Sequence, residues 1–237
     1  ALLIRNYIIG VTENAIMVMS NPLNYPLFIS VAIGATYLAL SSAISISRER
    51  DQGTLEVLFY GPVDSLSFVT AKYVEQMGLF LIMLVFYAVY FAAASALTNF
   101  GFTSAFGWML VMSIFLASCT VSFGIFISTI TRKVRTSIIV FLGLVAAFLA
   151  FDLAHGILLG LSGQELSTVL VYTRMIMQYL NAVIQWISPF AYLQRGVRAV
   201  ELQDAGAYGF SVLWALVYSG VLLGLSSWIF ARRGVKR

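Results

Sequence analysis

From Gln76 to Thr131 the chain reads QMGLFLIMLVFYAVYFAAASALTNFGFTSAFGWMLVMSIFLASCTVSFGIFISTIT, without one Asp, Glu, Lys, Arg or His. A helix needs roughly 20 apolar residues to cross about 30 Å of hydrocarbon. This stretch is too long for one crossing. It divides at Thr98-Asn99-Phe100-Gly101-Phe102-Thr103-Ser104, a polar, glycine-containing turn. Two spans are therefore expected, near 73–97 and 105–131. Working outward, charge-poor runs at 25–47, 137–161 and 209–231 give three more. The predicted class is all-α: a polytopic membrane bundle with five visible spans, a single domain over 1–237.

Composition agrees. Of 237 residues, 60% are apolar and 10% are charged, and the mean hydropathy is +0.92. An average soluble domain carries about 25% charged residues. The deficit excludes a soluble enzyme, a disordered chain and a nucleic-acid-binding module. The single cysteine, Cys119, excludes an internal disulfide and a multi-cysteine metal centre, and the single histidine, His155, excludes a histidine-rich one.

The net charge of +4 says little, but its distribution orients the spans. Arg48, Arg50, Lys72, Arg132, Lys133, Arg135, Arg232, Arg233, Lys236 and Arg237 fall on one side, ten of the fourteen basic residues. The positive-inside rule makes that side cytoplasmic, together with the C-terminus. Arg5, Arg174, Arg195 and Arg198 are left outside. Ala1 then also lies outside, with nothing ahead of it to carry it across. An earlier, sixth span upstream is therefore expected, with a true five-span, N-out protein as the alternative.

Two segments read as external helices, 1–20 and 164–203. In the second, Leu166, Val169, Leu170, Ile176, Met177, Leu180 and Ile184 recur at helical spacing, opposite Ser167, Arg174, Gln178, Asn181 and Gln185. That is an amphipathic, interfacial pattern. Ser188-Pro189 supplies an N-cap and a proline for a second short helix. A sixth span at 166–188 would place Arg195 and Arg198 inside, which the basic C-terminus opposes.

The loop 48–72 carries the strongest functional signal. Arg48-Glu49-Arg50-Asp51 alternate in sign, and Gly53 follows. A short helix fits 55–60, with Thr54 as N-cap, Glu56 in its first turn and Gly61-Pro62 closing it. Leu55, Leu58 and Phe59 make an apolar patch beside charges. Such a patch suits docking of another protein, with burial for affinity and ion pairs for register. It equally suits an interfacial helix packed on its own chain.

This loop, RERDQGTLEVLFYGPV from Arg48 to Val63, closely resembles the ERE-x-GT-L-E-x-L-L-x-x-P-V signature of ABC-2 type transporter permeases. Phe123–Arg132 resembles the same family's span ending in a small-residue S-x-x-x-R/K turn. Ser188-Pro189-Phe190-Ala191-Tyr192 is similar to its N/S-P-x-x-Y step, and Trp228–Arg237 to its basic end. The resemblance implies a permease that pairs with a second permease copy in the cell (inner or plasma) membrane and binds two cytosolic ABC ATPase subunits. ATP and Mg would act on those subunits. Carried over, Gly53–Pro62 would dock as a coupling helix, framed by Arg48, Glu49, Arg50 and Asp51. The chain itself contains no G-x-x-x-x-G-K-[ST] nucleotide loop, so ATP hydrolysis is not expected on it.

Some residues stand apart. Asp152 and His155, three apart in the outer third of the fourth span, form a candidate intramembrane polar site. The blander reading has that span end early or break, so that both face water or the external helices, because ABC-type transport needs no proton relay. Lys72 and Glu75 fit an i,i+3 pair. Gly34, Gly124, Gly143, Gly220 and Gly224 are expected to permit close helix packing. Two rivals to the permease reading follow: a non-transporting accessory or scaffold subunit with the same fold, and an intramembrane enzyme built on Asp152 and His155.

Overall fold

The computed structural model describes residues 24–54, 64–98, 104–160, 168–202 and 204–234. The external segment 1–20 lies outside the described residues. Seven helices and no strand occur among those described: α1 (Asn24–Asp51), α2 (Ser65–Thr98), α3 (Ser104–Ile130), α4 (Val134–Gly160), α5 (Thr168–Ile187), α6 (Pro189–Glu201) and α7 (Ala205–Gly234). Five of them, α1 to α4 and α7, are long and apolar enough to cross a membrane.

Helix α3 is the axle. Of its apolar stretch 72% lies buried, against 11–17% for α2, α4 and α7. It touches α1, α2, α4, α6 and α7. The cause is its small-residue run, Ala117-Ser118-Cys119-Thr120-Val121-Ser122, followed by Gly124. Without a hydrophobic drive between helices in lipid, close approach and interhelical hydrogen bonds hold them together. Helix α1 answers with a buried stripe at helical spacing: Leu27, Val31, Ala35, Leu38, Ala39, Ala43 and Ile46. At Gly124 the contact is backbone to backbone. A Cβ there would sit 2.2 Å from the Ala39 carbonyl oxygen and 2.2 Å from Ser42 Oγ. Of the other candidate glycines, Gly34 abuts Tyr87 and Met83, while Gly143, Gly220 and Gly224 meet nothing within 4 Å. Those three face away from this chain's packing.

Hydroxyls knit the middle of the bundle. The Ser118 hydroxyl donates to Ser219 Oγ on α7 at 2.9 Å and shares a 2.7 Å hydrogen bond with Tyr73 on α2. Outward, Ile33, Phe86, Ile139, Leu153 and Phe210 are exposed on their own helices. In water so many large apolar side chains would form an aggregating surface; against acyl chains they are at home.

The two shorter helices lie at the end opposite Arg232. Helix α5 keeps the amphipathic pattern read from its sequence, and its direction is instructive. Ile176, Tyr179, Leu180 and Val183 point outward, while Arg174, Asn181 and Gln185 are half-buried together with Met177 and Ile184, and Gln178 is exposed. The exposed apolar side chains suit the membrane interface. Ser188 stands at the N-cap of α6 with extended backbone (φ −75°, ψ 122°), but its hydroxyl makes no capping bond. Pro189 starts the helix, and its missing N–H needs no partner there. Asp204 caps α7, its carboxylate accepting the N–H groups of Gly206 at 2.8 Å and Ala207 at 3.2 Å.

Candidate coupling site at the basic end of the bundle

The end of the bundle where Arg48, Arg50, Lys72, Arg132 and Lys133 gather is built by three chain turns. The first closes α1. The N–H of Gln52 donates to the Arg48 carbonyl at 3.0 Å and that of Gly53 to the Arg50 carbonyl at 3.3 Å. Gly53 takes φ +73°, a left-handed conformation that glycine adopts without the Cβ penalty. The Thr54 hydroxyl donates back to the Glu49 carbonyl at 3.0 Å. The second turn opens α2. The Phe68 N–H donates to the Asp64 carbonyl at 3.0 Å, which puts Asp64 just ahead of the first helical residue. The third joins α3 to α4 through Thr131, Arg132 and Lys133.

Side chains then tie the three together. Arg50 Nη1 donates to the carbonyls of Thr131 at 3.0 Å and Thr129 at 3.4 Å. Those are carbonyls that the end of α3 leaves without intrahelical partners, at the negative end of its dipole. Ser128 Oγ accepts the N–H groups of both Ile46 and Ser47, each at 3.0 Å. The Ser42 hydroxyl lies 2.9 Å from the Ala39 carbonyl and 3.2 Å from the Val121 carbonyl of α3. Ser137 on α4 is hydrogen-bonded to the Thr131 hydroxyl. Across the loop, Lys72 Nζ pairs with Glu49 at 2.7 Å and with Glu75 at 3.4 Å. Glu49 and Lys72 side chains are each 21% exposed. The second oxygen of Glu49 is buried with no hydrogen-bond partner among the described residues.

The four charges ahead of the loop therefore divide. Glu49 and Arg50 are engaged within the chain, holding α1 to α2 and α3. Arg48 and Asp51 are exposed, as are Gln52, Gly53 and Thr54. Leu55, Glu56, Leu58, Phe59 and Pro62 lie outside the described residues, and so does the helix expected at 55–60. Sequence reasoning paired Lys72 with Glu75 and missed the closer partner Glu49, because a contact across a loop leaves no periodic trace. It likewise missed Ser42 and Ser128, whose serine-rich surroundings on α1 and α3 were the available signal.

Asp152 and His155 occupy the far end of α4. That helix continues unbroken to Gly160 instead of ending early. Asp152 Oδ2 accepts a 3.2 Å hydrogen bond from Gln194 of α6. The His155 ring lies parallel to Phe151 at 6.3 Å between centroids. Both side chains are half-buried, and no ion pair joins them among the described residues. The structure thus links Asp152 to the short outer helices and leaves His155 with an aromatic neighbour. Nearby, Arg195 lies over the rings of Trp186 at 4.7 Å and Tyr192 at 5.6 Å. Burial raises the Tyr192 phenol above its ordinary value, and its hydroxyl donates to the Trp186 carbonyl at 3.2 Å. No group of three or more His, Cys, Asp or Glu side chains among the described residues could hold a metal ion.

The family model described as ABC-2 family transporter protein matches residues 5–235. The chain belongs to the ABC-2 transporter family. It is accordingly a multi-pass membrane protein and a permease-type membrane component of a transporter. No curated protein matches it. Residues 48–54 of the quoted loop signature lie at this basic end, where α1 closes.

Proposed function

We propose that this ABC-2 family member is the permease subunit of an ATP-driven transporter whose ATPase is a separate cytosolic protein docking on the loop 48–64. The observation that carries this reading is the way the end of α1 is fastened. An exposed turn, Asp51 to Thr54, leaves α1 directly beside Arg50, Glu49 and Ser128, which bind it to α3 and α2. A force applied to that turn reaches three membrane helices through short, directional bonds. Conformational coupling of this kind needs contiguous elements with more than one arrangement, and ion pairs and hydroxyl contacts at a helix crossing can be exchanged without unpacking the core.

In this reading the basic end is cytoplasmic and the short helices α5 and α6 lie on the outer face of the cell membrane. A second permease copy completes the translocation path. ATP and Mg bind the partner subunits, and closure of the ATPases around nucleotide moves the loop. Purification of the tagged full chain from its own membranes tests this. Expected is co-purification of a protein with a G-x-x-x-x-G-K-[ST] loop in stoichiometric amount, with ATP turnover that rises when both are reconstituted in bilayers. Recovery of the chain only with unrelated membrane proteins contradicts the proposal and favours a scaffold.

A further inference from the structure

We propose that the cleft beside the α3–α4 turn binds the headgroup of an anionic phospholipid. The cleft has a volume of about 770 Å³, within the ~300–1,000 Å³ range of small-molecule sites. Its lining is cationic: Arg50, Arg132 and Lys133 contribute, and no carboxylate does among the described residues. The guanidinium of Arg50 is held there by its bonds to the Thr129 and Thr131 carbonyls. Thr136 adds a hydroxyl, one turn into α4. The first turn of α4 directs its N-terminal N–H groups to the same end.

Apolar side chains line the same cleft: Ile130 and Val140 are exposed, at 40% and 37%. Val140 lies inside the stretch of α4 able to cross a membrane, Val134–Leu158. One turn further along the same face, Leu144 is exposed too. The cleft thus sits at the junction between headgroups and hydrocarbon. The basic residues alone follow from the positive-inside rule; a cavity that joins three cations to side chains of a membrane-crossing helix does not. A soluble anion would use only the cations, whereas a phospholipid uses the apolar side chains as well. Basic pockets between membrane helices bind anionic headgroups for this reason. The inference needs the chain to span a bilayer and is independent of whether it transports.

The test is native mass spectrometry of the full chain in mild detergent, titrated with a phosphatidylglycerol or a phosphatidylcholine of the same acyl chains. With three cations at about fivefold each, wild type should retain phosphatidylglycerol about a hundredfold more tightly than phosphatidylcholine. Each cation near a headgroup changes affinity about fivefold, so Arg132→Gln with Lys133→Gln should weaken phosphatidylglycerol about thirtyfold. Phosphatidylcholine binding should not change, which shows that the variant is folded. The charge-matched variant Arg48→Gln with Arg232→Gln, two basic residues that do not line the cleft, should have less than a threefold effect. Three results would overturn the proposal. They are equal retention of the two lipids, equal weakening by the charge-matched variant, and full displacement of phosphatidylglycerol by millimolar inorganic phosphate, which would make this a site for a free anion.

Discussion

Replacing Gly124 by alanine adds one methyl group at the closest crossing in the bundle. Its Cβ would lie 2.2 Å from the Ala39 carbonyl oxygen and 3.0 Å from the Ala39 carbonyl carbon. Real Cβ atoms essentially never approach closer than 3.0 Å. Helices α1 and α3 must therefore part by about 0.8 Å or more. Overpacking of this kind costs about 1–3 kcal/mol, and the obstacle here is backbone, which cannot rotate away. Parting also stretches the Ser42 and Ser128 bonds across the crossing, each worth about 0.6 kcal/mol in a membrane protein. The expected loss is about 2–4 kcal/mol. The reference is Gly143→Ala on α4, where nothing lies within 4 Å. There the helix propensity of alanine should stabilise by up to about 1 kcal/mol. Reversible unfolding of the purified chain in mixed micelles measures both. If Gly124→Ala proves as stable as Gly143→Ala, the tight α1–α3 crossing is wrong.

Other outcomes follow from the same geometry. A double-mutant cycle on Glu49→Gln and Lys72→Met should give a coupling energy of about 1 kcal/mol, since both groups are partly open to solvent; zero coupling would remove the bridge from α1 to α2. Arg50→Gln should destabilise by about 1.5–3 kcal/mol through loss of a charged donor at the α3 end. Arg48→Gln, at an exposed position, should stay within about 0.5 kcal/mol. Asp152→Asn keeps an acceptor for Gln194 and should leave stability and complex activity unchanged; lost activity would revive the intramembrane enzyme.

Much of the bundle was legible because hydrocarbon excludes charge so strongly. A charge-free run as long as 76–131 is what two successive crossings require, and the turn at 98–104 had to divide it. Helix ends were legible where a cap marks them: Asp64 or Ser65 reads as the cap of a helix leading into the second span, and α2 begins at Ser65, ahead of the crossing expected near 73–97. Lys72 and Glu75 sit inside it as a pair, and paired charges at an interface do not stop a helix. Packing partners were the least legible. Gly124 and Gly143 look alike in sequence, yet one meets a carbonyl and the other meets nothing. Which face of a helix turns inward depends on neighbours that periodicity does not name. In the candidate site, the alternating charges marked a turn of chain without showing its division of labour. Glu49 and Arg50 act inward because Lys72 and the α3 end lie within reach, and those are contacts between distant segments.

Docking of an ATPase at the turn that leaves α1 would confine its contacts to the basic end of the bundle. A photo-crosslinking side chain at Gln52, exposed beside Gly53, and another at Leu202, 75% exposed at the opposite end, test this in intact cells. The expected result is a crosslink from position 52 to a protein with a P-loop and none from position 202. A P-loop crosslink from 202, or none from 52 while the chain remains folded and abundant, would contradict it.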